Sequence, residues 1–355
     1  MRRLARPTDG SLRLALWLAG ALLTLPLACS SSGGGGEAGD AGAAGDSGSG
    51  GSSGASGGTA GTSTSGDAGA AGVTPIVGTF NLTLVEPSEG TEGYAAFSGK
   101  VFDGPVPDAT IWKLLDSDGD CQLLKPVIPF CDGGCGTGVC VADGQCQEQP
   151  SAHSVGDLTL TGISTVSGAT SVVVSPILKG YSNPAGITFS YPPAAEGTAV
   201  TLDAAGGDYS AFTLEAPGIA PLVLAADSYP ISSSQPLSFS WTPAAEPSKS
   251  HILVHLDISH HGGSKGKIEC DTADDGALQI NASLMSQLLA LGVAGYPTVT
   301  VTRRATGEVT IAPGRVTFNI QQNVERAITV EGVTSCTSDA DCTGGMTCAS
   351  DLTCQ

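Results

Sequence analysis

Four of the five histidines in this chain fall within eleven residues, from His251 to His261. Polar and apolar residues alternate through this segment, which predicts a β-strand whose odd-numbered side chains share one face. That face would carry four possible metal ligands, namely His251, His255, Asp257 and His261. Neutral imidazoles beside a carboxylate are competent zinc ligands. One hypothesis is therefore a zinc-dependent hydrolase centred on His255, Asp257 and His261.

The same segment has a plainer interpretation. It is similar to the His-x-His-x-Asp-His strand-end motif of metallo-β-lactamase-like hydrolases, but its first two histidines, His251 and His255, are four residues apart instead of two. The later ligand motifs of those enzymes do not follow it, and neither does their alternation of strands and helices. The sequence therefore favours a solvent-facing polar strand that leads into a turn at Gly262 and Gly263, with the zinc site as the alternative.

An acidic loop offers a second possible metal site. Asp116, Asp118 and Asp120 are spaced as in calcium-binding loops, and a hard cation prefers such oxygen clusters. The loop lacks the distal glutamate of an EF-hand. The Asp-rich segment 271–276 also resembles a calcium loop, although Asp-Asp-Gly is a common hairpin turn. Calcium binding and ordinary turns both remain open for these loops.

The N-terminus predicts export. A basic start precedes a 14-residue apolar run, 14–27, which is too short for a membrane-spanning helix and is typical of a signal peptide. Leu25 to Cys29 resembles a bacterial lipobox, although Pro26 stands where that family prefers Leu. The resemblance implies cleavage after residue 28, acylation of Cys29 and, because Ser30 follows, anchoring in the outer membrane. Secretion without a lipid is the alternative.

A long tract after Cys29 predicts a flexible tether. Residues 30–72 contain no aromatic, branched aliphatic or basic residue, so they cannot bury enough apolar surface to offset the entropy of ordering. A coil of this length has a root-mean-square reach of roughly 35–40 Å. The tether would hold the folded region away from a membrane.

The charge of the chain excludes some partners. Without the leader, 11 basic residues stand against 33 acidic ones. Such an excess of negative charge opposes binding to nucleic acid or to an anionic bilayer surface. The predicted membrane contact is the N-terminal lipid, and a protein or polysaccharide partner is left open.

The region after the tether predicts an all-β fold. Alternating runs occur at 79–85, 95–102, 157–163, 171–174, 186–191, 211–214, 237–241, 251–259, 298–302 and 316–320. Gly, Pro, Asn and Asp separate them, as in antiparallel β-sandwiches. One short helix is expected after an Asn281 N-cap, with Leu284, Leu288 and Leu291 on one face and Gly292 as its stop. One sandwich and two sandwiches are both compatible with this pattern.

Ten cysteines remain besides Cys29, an even number that favours disulfides in an exported protein. Eight of them form two similar quartets, which are Cys131, Cys135, Cys140 and Cys146, and Cys336, Cys342, Cys348 and Cys354. Each quartet predicts a microdomain that is held by two disulfides because it has little core. Four cysteines allow three connectivities, and the sequence does not choose among them. Cys121 and Cys270 either pair with each other or remain thiols.

The leader, the tether, the segment 121–150 and the tail from Cys336 resemble the exported, Cys-rich lipoproteins of myxobacteria. The resemblance implies a cell-envelope location and no particular activity. The predicted organisation is a signal peptide (1–28), an anchor and disordered tether (29–74), a β region (75–130), a Cys-rich microdomain (131–150), a β-sandwich domain (151–334) and a second microdomain (335–355). The predicted function is a non-enzymatic interaction or adhesion scaffold, with a zinc hydrolase or a carbohydrate-binding module as alternatives.

Overall fold

The computed structural model describes residues 74–355. The predicted signal peptide, Cys29 and all but the last residue of the predicted tether lie outside this range. Within it, no helix combines the length and apolar character that crossing a membrane would require.

The described chain is built almost entirely of strands. They are β1 Ile76–Val85, β2 Tyr94–Phe102, β3 Ile111–Asp118, β4 Cys121–Val127, β5 Val139–Ala142, β6 Gln145–Gln147, β7 Ala152–His153, β8 Leu158–Thr161, β9 Ser171–Val174, β10 Gly180–Ser182, β11 Ala199–Ala204, β12 Phe212–Pro217, β13 Ser228–Ile231, β14 Leu237–Ser240, β15 His251–Asp257, β16 Lys267–Ala273, β17 Ala277–Ile280, β18 Thr298–Thr310 and β19 Arg315–Val330. The helix α1 spans Ala282–Ala290. The predicted all-β class with one short helix is confirmed.

Eleven strands form one main sheet, in the order β10-β2-β1-β19-β18-β15-β16-β4-β3, with β7 beside β2 and β13 beside β19. Most neighbours are antiparallel, as predicted, but β1 and β13 both run parallel to β19. A tight hairpin forces two strands to be antiparallel, whereas β1 and β19 are separated by most of the described chain and have no such constraint. Strands from 75–130 and from 151–334 therefore share this sheet.

The two longest strands, β18 and β19, run through two lobes. In the first lobe, the main sheet packs on a second sheet of order β12-β11-β8-β9, and the buried residues between them include Phe80, Leu202 and Phe318. In the second lobe, the β14–β17 pair and α1 cover the same sheet over a core that includes Ile252 and Met285. Two β-sandwich lobes thus share one sheet.

A buried polar layer separates the two cores. Arg303 of β18 lies opposite Gln322 of β19, and neither is more than 1% exposed. Arg303 forms a bidentate ion pair with Asp274, Nε to Oδ2 at 2.6 Å and Nη2 to Oδ1 at 2.8 Å. Gln322 accepts a hydrogen bond from the Leu222 backbone N–H and donates one to the Tyr191 hydroxyl. The link between the two lobes is therefore both polar and fully buried.

The remaining polar atoms of the ion pair are also satisfied. Arg303 donates to the carbonyls of Ala220, Pro221 and Thr242, and Asp274 accepts from Trp241 Nε1 and Ser250 Oγ. Burial opposes ionisation of this carboxyl, but the hydrogen bonds from Arg303 and Ser250 outweigh it and lower the pKa of Asp274. The ion pair therefore ties β18 to the turn between β16 and β17, and the other hydrogen bonds of Arg303 tie it to residues 220–221 and Thr242.

The helix was predicted correctly, including its cap. The Asn281 side chain accepts a hydrogen bond from the Leu284 backbone N–H at 2.7 Å, and Leu284 and Leu288 are buried. The predicted strand at 186–191 is wrong. Only Phe189 makes bridges there, one to Ala95 and one to Thr165. Phe189 is buried in the core, but its neighbours form no continuous ladder.

Both cysteine quartets form two disulfides with the same connectivity, first to third and second to fourth. The pairs are Cys131–Cys140 with Cys135–Cys146, and Cys336–Cys348 with Cys342–Cys354. In both quartets the third and fourth cysteines also lie opposite each other across an antiparallel bridge. The two microdomains therefore repeat one disulfide arrangement.

Cys121 and Cys270 pair with each other. They are register partners on the adjacent strands β4 and β16, so the bond attaches the β3–β4 hairpin to the edge of the main sheet. The loop it closes spans 149 residues. In the chain-entropy account, a disulfide stabilises the folded state more when the loop that it closes is longer.

We expect Asp274→Asn to destabilise the protein by about 3–5 kcal/mol, because removing one partner leaves the guanidinium of Arg303 buried without its counter-charge. Urea unfolding followed by tryptophan fluorescence measures the effect. The matched control is Asp275→Asn at the neighbouring exposed position, which should change stability by less than about 0.5 kcal/mol. Equal effects of the two substitutions would contradict the role assigned to the pair.

Candidate functional site

The predicted histidine strand exists as β15, between β18 and β16 in the main sheet. Ile252, Val254 and Leu256 are buried, while His251 and His255 lie on the opposite, solvent-facing side. The alternation expected from the sequence is therefore present. The side chains of this face belong to a sheet surface and not to a cleft.

The four proposed zinc ligands do not come together. A strand rises about 3.3 Å per residue, so His251 and His255 are separated by about 13 Å along β15. Asp257 accepts hydrogen bonds from the N–H and hydroxyl of Ser259. His261 lies past the strand end at φ +64°, with its ring beside that of His260.

The other possible metal ligands of the described chain are either paired in disulfides or spread apart. Within residues 74–355, the only groups of three His, Cys, Asp or Glu ligand atoms within 4.8 Å of one another are cysteines, three from each quartet. Those sulfurs are already paired in disulfides. The geometry therefore does not support the zinc hypothesis, and the polar strand face that the sequence favoured is what the structure contains.

Two histidines of this face pair with carboxylates on β16. His251 Nδ1 lies 2.9 Å from Asp271 Oδ1, and His255 Nδ1 lies 3.2 Å from Glu269 Oε1. Each pair bridges neighbouring strands. The histidines therefore contribute cross-strand contacts to the sheet surface.

The His255–Glu269 pair continues into a row that reaches the sheet edge. Lys267 Nζ lies 2.7 Å from Glu269 Oε1 and 3.8 Å from the ring centroid of Trp112 on β3. Burial alone would raise the pKa of Glu269, but hydrogen bonds from His255 and Lys267 outweigh it and lower that pKa.

The calcium hypothesis is not supported by the geometry either. Asp116 accepts a hydrogen bond from Gln287 Nε2 at 2.6 Å, which lowers the pKa of Asp116. Asp120 accepts one from Thr272 Oγ1 at 2.7 Å, and Asp118 closes the hairpin opposite Cys121. Asp116 and Asp120 thus have different partners, and a bulge in β3 changes the side-chain alternation just before Asp116. In the second acidic loop, Asp271 and Asp274 are engaged by His251 and Arg303 as described above.

A carbohydrate-binding module would need exposed aromatic rings, and the sequence offers Trp112, Trp241, Tyr181 and Tyr191 as candidates. Trp241 and Tyr181 are buried, and the Tyr191 hydroxyl accepts from Gln322. Lys267 covers one face of the Trp112 ring. Two of the four rings are therefore buried and a third is covered on one face, so these residues offer little exposed aromatic surface for stacking on a sugar.

The segment 262–266 reads Gly-Gly-Ser-Lys-Gly, which matches the letters of a Gly-x-Ser-x-Gly nucleophile elbow. That elbow joins a strand to a helix, whereas this segment connects the antiparallel strands β15 and β16. Ser264 is exposed. The surroundings that activate an elbow serine are therefore missing at this turn.

Large apolar side chains along the β3–β4 hairpin and the residues after it are exposed, which the sequence did not predict. These residues and their exposures are Leu114 51%, Leu115 41%, Val127 41%, Ile128 86% and Phe130 73%. We call these five residues the apolar edge. The uninterrupted apolar pairs 114–115 and 127–128 could have signalled it, since a strand with one buried face alternates.

Comparisons with known proteins add no functional assignment. No protein-family model matches the chain, and no curated protein sequence matches it. Among solved structures it aligns with the FN1-FN3 domains of chicken CNTN1, at 9% identity and a TM-score of 0.18, over 68% of this chain and 85% of that chain. This TM-score is too low to support an argument about fold or function.

We expect Glu269→Gln to weaken the fold at neutral pH by at most about 1 kcal/mol, because the carboxylate is partly exposed to solvent. A lowered folded-state pKa stabilises the protein above the ordinary pKa of the carboxyl, and that stabilisation is lost as the pH falls through the folded-state pKa. The difference between wild type and variant should therefore narrow between pH 6 and pH 3.

Thermal unfolding across this pH range makes the measurement. The control is Glu325→Gln, an exposed glutamate of β19 that makes no ion pair within the described chain. The stability of this control should stay close to that of wild type throughout. A constant difference between Glu269→Gln and wild type at all pH values would contradict the assignment.

Proposed function

We propose that this protein is an exported, lipid-anchored cell-envelope protein whose two-lobed β body acts as a non-enzymatic scaffold for protein interaction. The five disulfides are typical of extracellular or periplasmic proteins. The proposed anchor is Cys29, with the tether holding the body clear of the outer membrane. The resemblance to myxobacterial Cys-rich lipoproteins supports this placement.

The observation that carries the interaction function is the apolar edge. Its five large apolar side chains lie within 17 residues of sequence, and Ile128 and Phe130 are 86% and 73% exposed. Burying a large apolar side chain contributes roughly 1.5–3 kcal/mol, and the folded chain leaves that contribution unused here. Large apolar side chains that stay exposed along one short stretch of chain are typical of a binding site for another protein.

The polar residues nearby favour binding over catalysis. The carboxylates and histidines of the solvent-facing sheet surface are engaged with each other, as in the pairs His251–Asp271 and His255–Glu269. A catalytic acid or base needs access to a substrate in a water-excluding site. An open sheet surface offers a docking face instead.

Mass spectrometry of the mature protein from a Gram-negative host tests the anchor. We expect an N-terminal Cys29 that carries acyl chains, with the protein in the outer-membrane fraction. Cys29→Ala should abolish acylation and release the protein from that fraction. An unmodified mature N-terminus at another residue would contradict the anchor.

Saturable binding of the mature chain to cell-envelope fractions of the producing organism tests the interaction function. We expect the double variant Ile128→Ser, Phe130→Ser to weaken binding at least tenfold, because it removes the two most exposed members of the apolar edge. The control Val166→Ser removes an equally exposed apolar side chain elsewhere and should leave binding unchanged. Absence of saturable binding, or equal effects of both variants, would contradict the proposal.

A further inference from the structure

We infer that β3 pairs with the β3 strand of a second copy of this chain, in antiparallel orientation, and so joins two main sheets edge to edge. The inference rests on the proposed interaction function and names its partner. It is carried by the position of β3, by the exposed leucines at its centre and by the order of its charges.

β3 is the terminal strand of the main sheet. It has eight residues, and in the described chain its only strand neighbour is β4. The opposite edge ends in β10, which has three residues. A long terminal strand presents a row of backbone N–H and C=O groups that can accept another strand. The β3 edge therefore offers more backbone for pairing than the opposite edge.

The centre of β3 is apolar where edge strands are usually protected by charge. Leu114 pairs with Leu124 and Asp116 with Leu123, so Leu115 is the extra residue of a bulge. A bulge redirects side chains, and both leucines are exposed as a result. Pairing with a second strand would bury them.

The charges that flank these leucines are complementary between two antiparallel copies of the strand. The strand reads Lys113-Leu114-Leu115-Asp116. When Leu114 lies opposite Leu115 of a second, antiparallel copy, Lys113 lies opposite Asp116 of that copy, and symmetry repeats the contact. A parallel arrangement in the equivalent register would instead place each charge opposite its like. The charge order therefore selects the antiparallel pairing.

Both charged groups are accessible for this contact. Lys113 and Asp116 are exposed, and Lys113 takes part in no ion pair within residues 74–355. The hydrogen bond from Gln287 favours the ionised form of Asp116 by lowering its pKa. Opposite charges directly across a strand pair are stabilising.

The tether of the same chain is a poor alternative occupant. Its Gly, Ser and Ala residues have low strand propensity, and it has no branched aliphatic or aromatic side chain to cover the leucines. A short strand pair buries less than the roughly 1,200–2,000 Å² of a stable complex, so the contact should be weak in solution. Anchoring two copies in one membrane would raise their effective concentration and strengthen it.

Charge exchange at these two positions tests the inference. The protein used is the mature chain with Cys29→Ser, so that a lipid does not drive association. We expect reversible dimers in sedimentation velocity, and we expect Lys113→Asp or Asp116→Lys alone to raise the dimer Kd at least tenfold. Gln287→Ala is the control. It removes only the hydrogen bond from Gln287 to Asp116 and should dimerise nearly as wild type does.

Mixing the two single variants gives the decisive result. A copy with Asp at position 113 and a copy with Lys at position 116 attract each other at both contacts, so the mixture should form heterodimers although neither variant associates alone. This rescue also shows that both variants are folded. Single variants that dimerise as wild type does, or a mixture that stays monomeric, would overturn the inference.

Envelope binding separates this inference from the proposed function. A wild-type chain that is monomeric at all concentrations but still binds envelope fractions through Ile128 and Phe130 would overturn self-pairing and leave a different protein as the partner. A monomeric chain without envelope binding would overturn both.

Discussion

The buried ion pair between Arg303 and Asp274 is the interaction on which the rest of the structure depends. All five N–H groups of the guanidinium have acceptors, and the carboxylate accepts from Trp241 and Ser250 as well. A buried charge is tolerated only when it is paired and hydrogen-bonded in this way. Because Arg303 lies between the two apolar cores, the same contacts set how both lobes share β18 and β19.

Polar groups elsewhere follow the same rule, and this decides the kind of function the surface can support. His255 and Glu269 bind each other across β15 and β16, and Lys267 binds Glu269 and Trp112. Such mutual engagement leaves the sheet surface with paired charges and no assembled metal site. The apolar edge is the contrasting surface, because its side chains have no comparable cover.

Local patterns in the sequence were sufficient for elements whose contacts are close along the chain. The Asn281 cap and the buried leucines of α1 follow from a 3.6-residue period, and the face of β15 follows from a two-residue period. The same patterns failed where partners are distant. Nothing local indicated that β1 would lie parallel to β19, or that Arg303 would have Asp274 as its buried partner.

The sequence by itself determined the all-β class, the single capped helix and the grouping of eight cysteines into two quartets, because each depends on spacing within a few residues. The tertiary structure decided the disulfide connectivity, the Cys121–Cys270 crosslink and the Arg303–Asp274 pair. It also decided that β3 is a sheet edge with exposed leucines. These features depend on which distant strands become neighbours, and that is set by burying two cores at once, a property of the whole chain that no local pattern contains.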